Sequence, residues 1–150
     1  MLYFEDIRVG DFMESTEDYE LTSAEIIEFC AKWDPLPFHV DEEAAAATPV
    51  GKLFTSAVHS MAIAIRLGHQ MQTEPSATVM GLGWDGVRFQ TPACAGDSLR
   101  LRGEIIETRL SGSQPGLGIV RSELNLTNQR GETVITFKAA ALIRQRPQES

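Results

Sequence analysis

The chain has 150 residues, 43% of them hydrophobic and 23% charged, with a formal net charge of −8. That size and balance fit one globular domain able to bury a core without disulfide or metal staples. The negative charge disfavours binding to a nucleic-acid backbone or an anionic membrane surface, both of which need clustered Lys and Arg; a small anionic ligand needs only a few local cations.

The opening MLYFEDIRVGDF lacks the basic start and apolar run of a secretory signal. Phe12 to Leu21 is expected as a first, imperfectly alternating strand. Thr22 to Trp33 is expected as a helix: Thr22 and Glu25 have capping-box spacing, and Ile26, Phe29 and Cys30 form a stripe. Pro35 ends it, because the residue before a proline is pushed out of helical geometry. Asp34 then lies at the helix end, and His39 just beyond it in a stiff extended segment. Asp41 to Ala47 is expected as a short helical turn, with Asp41 as its cap. Pro49 and Gly51 break the chain, and a longer helix is expected over Thr55 to Met71. Phe54, Val58, Met61, Ala62 and Ile65 recur at helical spacing, and Ala57, Ser60, Ala62 and Ala64 make the helix slim. The apolar run from Ala57 to Leu67 is interrupted by His59, Ser60 and Arg66, so it does not read as a membrane span. Gly83 to Phe89 is a short strand candidate. Ser98 to Thr108 alternates, with Leu99, Leu101 and Ile105 on one face and Arg100, Arg102 and Glu104 on the other. Val120 to Asn128 and Glu132 to Ile143 follow as strands, joined by a turn at Asn128 to Gly131. From Arg144 the chain is expected to be a frayed polar tail. This order reads as α+β, with an antiparallel meander in the second half. Cys30 and Cys94 form no disulfide framework and read as small buried hydrophobes, which suits a reducing cytoplasm.

The stretch DPLPFHVDEEAAAA, from Asp34, carries the clearest chemistry. An aspartate and a histidine can work as an acid–base pair when both face one small volume. Pro35 and Pro37 restrict the intervening chain and would fix that relation. The same residues also suit a plain helix stop followed by a surface histidine, and spacing alone leaves both readings open.

WDPLPFHVDEEAAA, followed by GKLFTSAVHSMAIAIRL from Gly51, resembles the MaoC-like hydratases and the related R-specific enoyl-CoA hydratases. The broad family pattern is Asp-x-Asn-Pro-x-His; one branch carries Asp-Pro-Gln-Pro-Phe-His and then a Gly-Gly-Leu-Ile-Ala-Ser-Gly run. The similarity extends from about Asp11 to Ile143, through VRFQTPACAGDSLRLRGEIIETR and the Asn128-Gln129-x-Gly131 turn. The resemblance implies a hot-dog fold, a curved antiparallel sheet around one long helix, in a homodimer or larger homo-oligomer. It implies water addition to a trans-2-enoyl thioester, or the reverse dehydration of a 3-hydroxyacyl thioester. Asp34 and His39 would be catalytic, backbone N–H groups at Ser56 and Ala57 would form an oxyanion hole, and Leu36, Phe38, Thr55 and His59 would adjoin the substrate. No metal or redox cofactor is implied, since CoA or acyl-carrier pantetheine is part of the substrate.

Two positions depart from the family pattern. Leu36 stands where an Asn or Gln is usual; losing one supporting hydrogen bond costs about 0.5–1.5 kcal/mol, up to about tenfold in rate. Ala57 stands at the usual glycine, which matters if the backbone there needs φ > 0 or close approach of the thioester. Two rivals share the fold: an acyl-CoA thioesterase, and a non-catalytic acyl-thioester binding protein, for which Leu36 and Ala57 are the best support. Elsewhere the plainer readings are preferred. His59 is expected as a hydrogen-bonded structural histidine and His69 as a surface one. Asp85 and Arg88 belong to a solvated strand face, as do Arg100, Arg102 and Arg121, which are also candidates for the anionic end of CoA. Trp33 and Trp84 are expected in packing.

Overall fold

The computed structural model describes residues 1–148. After a short 3-10 turn at Phe4–Asp6, the elements run β1 (Phe12–Glu14), β2 (Tyr19–Glu20), α1 (Ser23–Trp33), α2 (Pro37–Val40), α3 (Glu42–Ala46), α4 (Ala57–Gly68), β3 (Thr78–Phe89), β4 (Ser98–Leu110), β5 (Leu117–Thr127) and β6 (Thr133–Arg144). The strands form one antiparallel sheet in the order β1-β4-β5-β6-β3, with β2 also on β4.

Alternation sets the register. Leu99, Leu101 and Ile105 of β4 and Leu126 of β5 turn to the buried face. Ile63, Ala64 and Leu67 of α4 pack into the same core, with Val134, Ile135 and Phe137 of β6. The small Ala64 and Ser60 are both buried, which lets the helix backbone approach the sheet. This long helix against an antiparallel sheet is the hot-dog arrangement. A second, smaller core of Ala77, Ile105, Val120 and Ile143 is covered by Tyr3, Phe4, Ile7 and Met13. There Phe4 lies over Gly118, with ring atoms 2.1–2.5 Å from where a β-carbon would stand. Only glycine leaves room for that ring.

Several expectations are corrected. Phe12 to Leu21 is two short strands, because the chain leaves β4 between them; Ser15 bonds Leu101 and the next pairing is Tyr19 with Leu99. His39 is not in an extended segment: Pro37 occupies the first position of α2, where a missing N–H costs nothing. The long helix starts at Ala57, not Thr55, with Ser56 as its cap, and ends at Gly68. Its buried side is His59, Ser60, Met61, Ile63, Ala64 and Leu67, whereas Val58, Ala62 and Ile65 are exposed. Phe54 precedes the helix and bridges to Cys94. β3 runs five residues earlier than expected, from Thr78, and is exposed almost throughout. Trp33 and Trp84 are both more than half exposed. The tail is tied down as far as Arg146, whose guanidinium bonds Asp6 and lies over Tyr3; the last two residues lie outside the described part. Cys30 and Cys94 are free and buried, as expected. Among the described residues, no helix is long and apolar enough to cross a membrane.

Candidate active site

Three local features bring Asp34 and His39 together. Pro35 ends α1, so Asp34 becomes its C-terminal cap, with its N–H on the Cys30 carbonyl at 2.9 Å. The Leu36 N–H returns to the Asp34 carbonyl at 2.8 Å, and the His39 N–H to the Leu36 carbonyl at 2.9 Å. Pro37 then starts the turn that carries His39. The result places His39 Nε2 3.7 Å from Asp34 Oδ2. That is too long for a direct hydrogen bond and suits a water bonded to both.

The tautomer of His39 is set from the other side. Its Nδ1 lies 2.8 Å from the carbonyl oxygen of Phe54. A carbonyl only accepts, so Nδ1 carries a proton, and in the neutral imidazole Nε2 is the nitrogen that presents a lone pair towards Asp34. His39 is 5% exposed. The Phe54 ring meets it edge-on at 5.0 Å, and Phe38, stacked on Phe54, does so at 4.6 Å. The Asp34 carboxylate, one-third exposed, makes no protein hydrogen bond among the described residues.

Both side chains line a cleft of about 340 Å³. Leu36, Phe38, Thr55 and Ala57 also line it, and its far wall is Phe89 to Ala93 with Val134. Ala57 is the first residue of α4, so its N–H has no carbonyl within the helix to bond, and the helix dipole favours negative charge there. Ser56 is fully buried and does not line the cleft; its hydroxyl accepts the His59 N–H at 3.2 Å. Of the two expected N–H donors, only that of Ala57 belongs to a cleft residue. No non-glycine residue among those described has positive φ, so Ala57 carries none of the backbone strain that the missing glycine raised. Leu36 keeps the backbone bonds of its position and offers no side-chain amide.

His59 is buried behind Thr55, away from the cleft. Its Nε2 lies 3.2 Å from Glu25 Oε1, and its Nδ1 2.5 Å from Thr55 Oγ1. Burial holds its pKa below the ordinary histidine value, against the pull of Glu25. Tyr19 also bonds Glu25, and burial first, then that carboxylate, pushes the phenol up to about 12. Glu25 therefore does not complete the capping box read from sequence. Thr22 accepts its N–H at 3.2 Å, but its side chain turns inward. Asp41 caps α3, accepting from Glu43 N at 2.8 Å, and His69 is exposed. Arg100 and Arg102 pair with Glu14, and Arg121 with Glu107 and Asp85, on the strand face away from the core; none lines the cleft. The contribution of Phe54 was not foreseen, since a backbone carbonyl leaves no mark in a sequence. Nor was the far wall, which reaches the cleft only through strand pairing.

The hot-dog domain thus carries an Asp–His pair in a cleft beside a helix N-terminus. The family described as "MaoC like domain" matches residues 7–126, and the chain belongs to it. The structure superposes on the MaoC-like dehydratase from Rhodospirillum rubrum with a TM-score of 0.90 and 32% identity, covering 99% of this chain and 100% of that one. A monoamine oxidase regulatory protein from Archaeoglobus fulgius gives 0.86 and 31%, covering 97% and 96%. Mesaconyl-CoA hydratase from Haloarcula hispanica is 36% identical over 66 residues, which are 43% of this chain and only 18% of that enzyme.

Proposed function

We propose that the protein adds water to a trans-2-enoyl thioester, or removes it from a 3-hydroxyacyl thioester, with CoA or a carrier pantetheine as the thiol. The observation that carries this reading is the 3.7 Å gap between Asp34 Oδ2 and Nε2 of His39, in the cleft that also holds the start of α4. The two acceptors hold the two hydrogens of one water and leave an oxygen lone pair for C3 of the substrate. As the O–C3 bond forms, His39 Nε2 takes a water proton, and the double-bond electrons move to C2 and onto the thioester oxygen. The Ala57 N–H and the α4 dipole stabilise that oxygen. The resulting imidazolium is stabilised by the Asp34 charge and returns the proton to C2 as the carbonyl reforms. No net proton is consumed, and the scheme requires no metal or redox cofactor.

The test follows enoyl-thioester absorbance while a thiol reagent reports free CoA, with short and medium trans-2-enoyl-CoA. Loss of the enoyl signal without thiol release is the expected result. Thiol release would instead assign a thioesterase, and binding without turnover a carrier or assembly role.

We also propose a homodimer formed through β3. Among the described residues this strand has a partner only on its β6 side, and it exposes Val79, Met80, Leu82, Trp84 and Phe89. A long apolar edge of this kind is a template for a second strand. Sedimentation should give twice the chain mass; a monomer at micromolar concentration would rule the pairing out.

A further inference from the structure

The buried chain of hydrogen bonds behind the cleft has a fixed direction. A carboxylate only accepts, so His59 Nε2–H donates to Glu25 Oε1 at 3.2 Å, and Tyr19 O–H donates to the same oxygen. With its Nε2 protonated, the neutral imidazole presents Nδ1 as an acceptor. The Thr55 hydroxyl therefore donates to it at 2.5 Å. Cys30 Sγ, 3.5 Å from Thr55 Oγ1, is left as the donor to that oxygen. Phe29 stacks on the imidazole at 4.2 Å with an 11° interplanar angle, which fixes its plane. Glu25, Phe29 and Cys30 are all on α1, and His59 is on α4.

This chain ends beside the reacting groups. Thr55 lines the cleft and comes two residues before Ala57. Its backbone N–H bonds the Ala93 carbonyl of the far wall at 2.8 Å. Thr55 is thus held by its side chain through His59 to α1, and by its backbone to the opposite wall. None of this contacts the Asp34–His39 gap, and water addition as derived above does not use it.

We infer that Glu25 and His59 are positioning residues, which fix the start of α4, and with it the Ala57 N–H, by holding the Thr55 hydroxyl. The inference rests on the hydration reading for its rate effects, although not for the geometry. A donor that stabilises a developing charge must be aimed before the charge appears. A loosened Thr55 would therefore lower kcat more than it raises KM.

Two substitutions divide the imidazole between its two nitrogens. His59→Asn puts a carbonyl oxygen near the position of Nδ1 and keeps an acceptor for Thr55. His59→Gln reaches the position of Nε2, keeps a donor for Glu25 and leaves Thr55 unheld. With a trans-2-enoyl-CoA, His59→Gln is expected to lose about tenfold in kcat, with KM within about twofold, and His59→Asn to retain most of the rate. Glu25→Ala, at a one-third exposed side chain, provides a variant that folds more readily; Glu25→Gln restores an acceptor and is expected to recover its loss. Amide hydrogen exchange at Thr55, whose buried N–H bonds the Ala93 carbonyl at 2.8 Å, is the readout that needs no turnover: faster in His59→Gln than in His59→Asn. Equal kcat values for the Asn and Gln variants, falling only in step with Tm, would overturn the inference. So would equal exchange at Thr55. A wild-type protein that turns over no enoyl thioester would count against hydration, and the exchange comparison alone would then decide the relay.

Discussion

Replacing His39 with asparagine is expected to reduce hydration of a trans-2-enoyl thioester by at least about a hundredfold, the usual scale for a positioned acid–base group. Asparagine is the informative choice. Its side-chain NH₂ can still donate to the Phe54 carbonyl, the bond that His39 Nδ1 makes at 2.8 Å. His39→Ala would orphan that carbonyl and add a stability loss of about 1–3 kcal/mol, which would blur the result. Asparagine has no lone pair of comparable basicity at the position of Nε2. Asp34→Asn should also lose activity, but less steeply. Its carbonyl still accepts a bond from the water, while the charge that stabilises the imidazolium is gone. Both variants should bind a saturated acyl-CoA nearly as wild type, because the apolar lining of Leu36, Phe38 and Phe54 is untouched. Wild-type kcat in His39→Asn would remove the histidine from the mechanism, and a selective loss of binding would favour a non-catalytic role.

The pair was legible in the sequence because it is local. Six residues hold Asp34, both prolines and His39, so their proximity follows from chain connectivity. Its detailed geometry was not legible. Pro37 was read as a stiffener of an extended segment, although a proline also suits the first turn of a helix, which is its position in α2. β4 and β5 were found by their alternation, since there the period of two reports burial directly, and β6 as an apolar run after the Asn128 to Gly131 turn. β3 was half missed for the same physical reason. It is exposed on both faces, and Gly81, Gly83 and Gly86 accompany two of its three register shifts against β6, so no period survives. On α4 the repeat of Val58, Ala62 and Ile65 is real but points outward; periodicity finds an apolar face without saying what covers it. Glu25 shows the limit of short-range reading, since its partner His59 lies 34 residues away.

Asp97 meets the same limit, since its partner Gln129 lies 32 residues away, and its replacement should be the most destabilising of the changes considered. Its side chain is almost fully buried and joins two turns of the chain, its own and the one after β5. Oδ2 accepts the Cys94 N–H at 2.9 Å and Oδ1 accepts Gln129 Nε2 at 2.9 Å, with Arg130 Nη1 3.8 Å away. Asp97→Ala leaves both donors without a partner. Hydrogen bonds to a charged group are each worth about 1.5–3 kcal/mol, so a loss of about 3–5 kcal/mol is expected. Asp97→Asn should lose roughly half of that. Its one carbonyl oxygen can serve either donor, and Gln129 cannot simply turn its amide, because its Oε1 already accepts the Ser98 N–H at 2.9 Å. Denaturant midpoints at constant m-value would give both numbers; changes within about 0.5 kcal/mol of wild type for both would show that the clamp contributes nothing. The damage should also reach the cleft. The turn that Asp97 holds pairs with the lead-in to α4, through Ala95 N on the Leu53 carbonyl and Thr55 N on the Ala93 carbonyl. Loosening it frees the far wall and the start of α4 together. Asp97→Asn, folded at moderate temperature, is therefore expected to raise KM and lower kcat, although its side chain never faces the substrate.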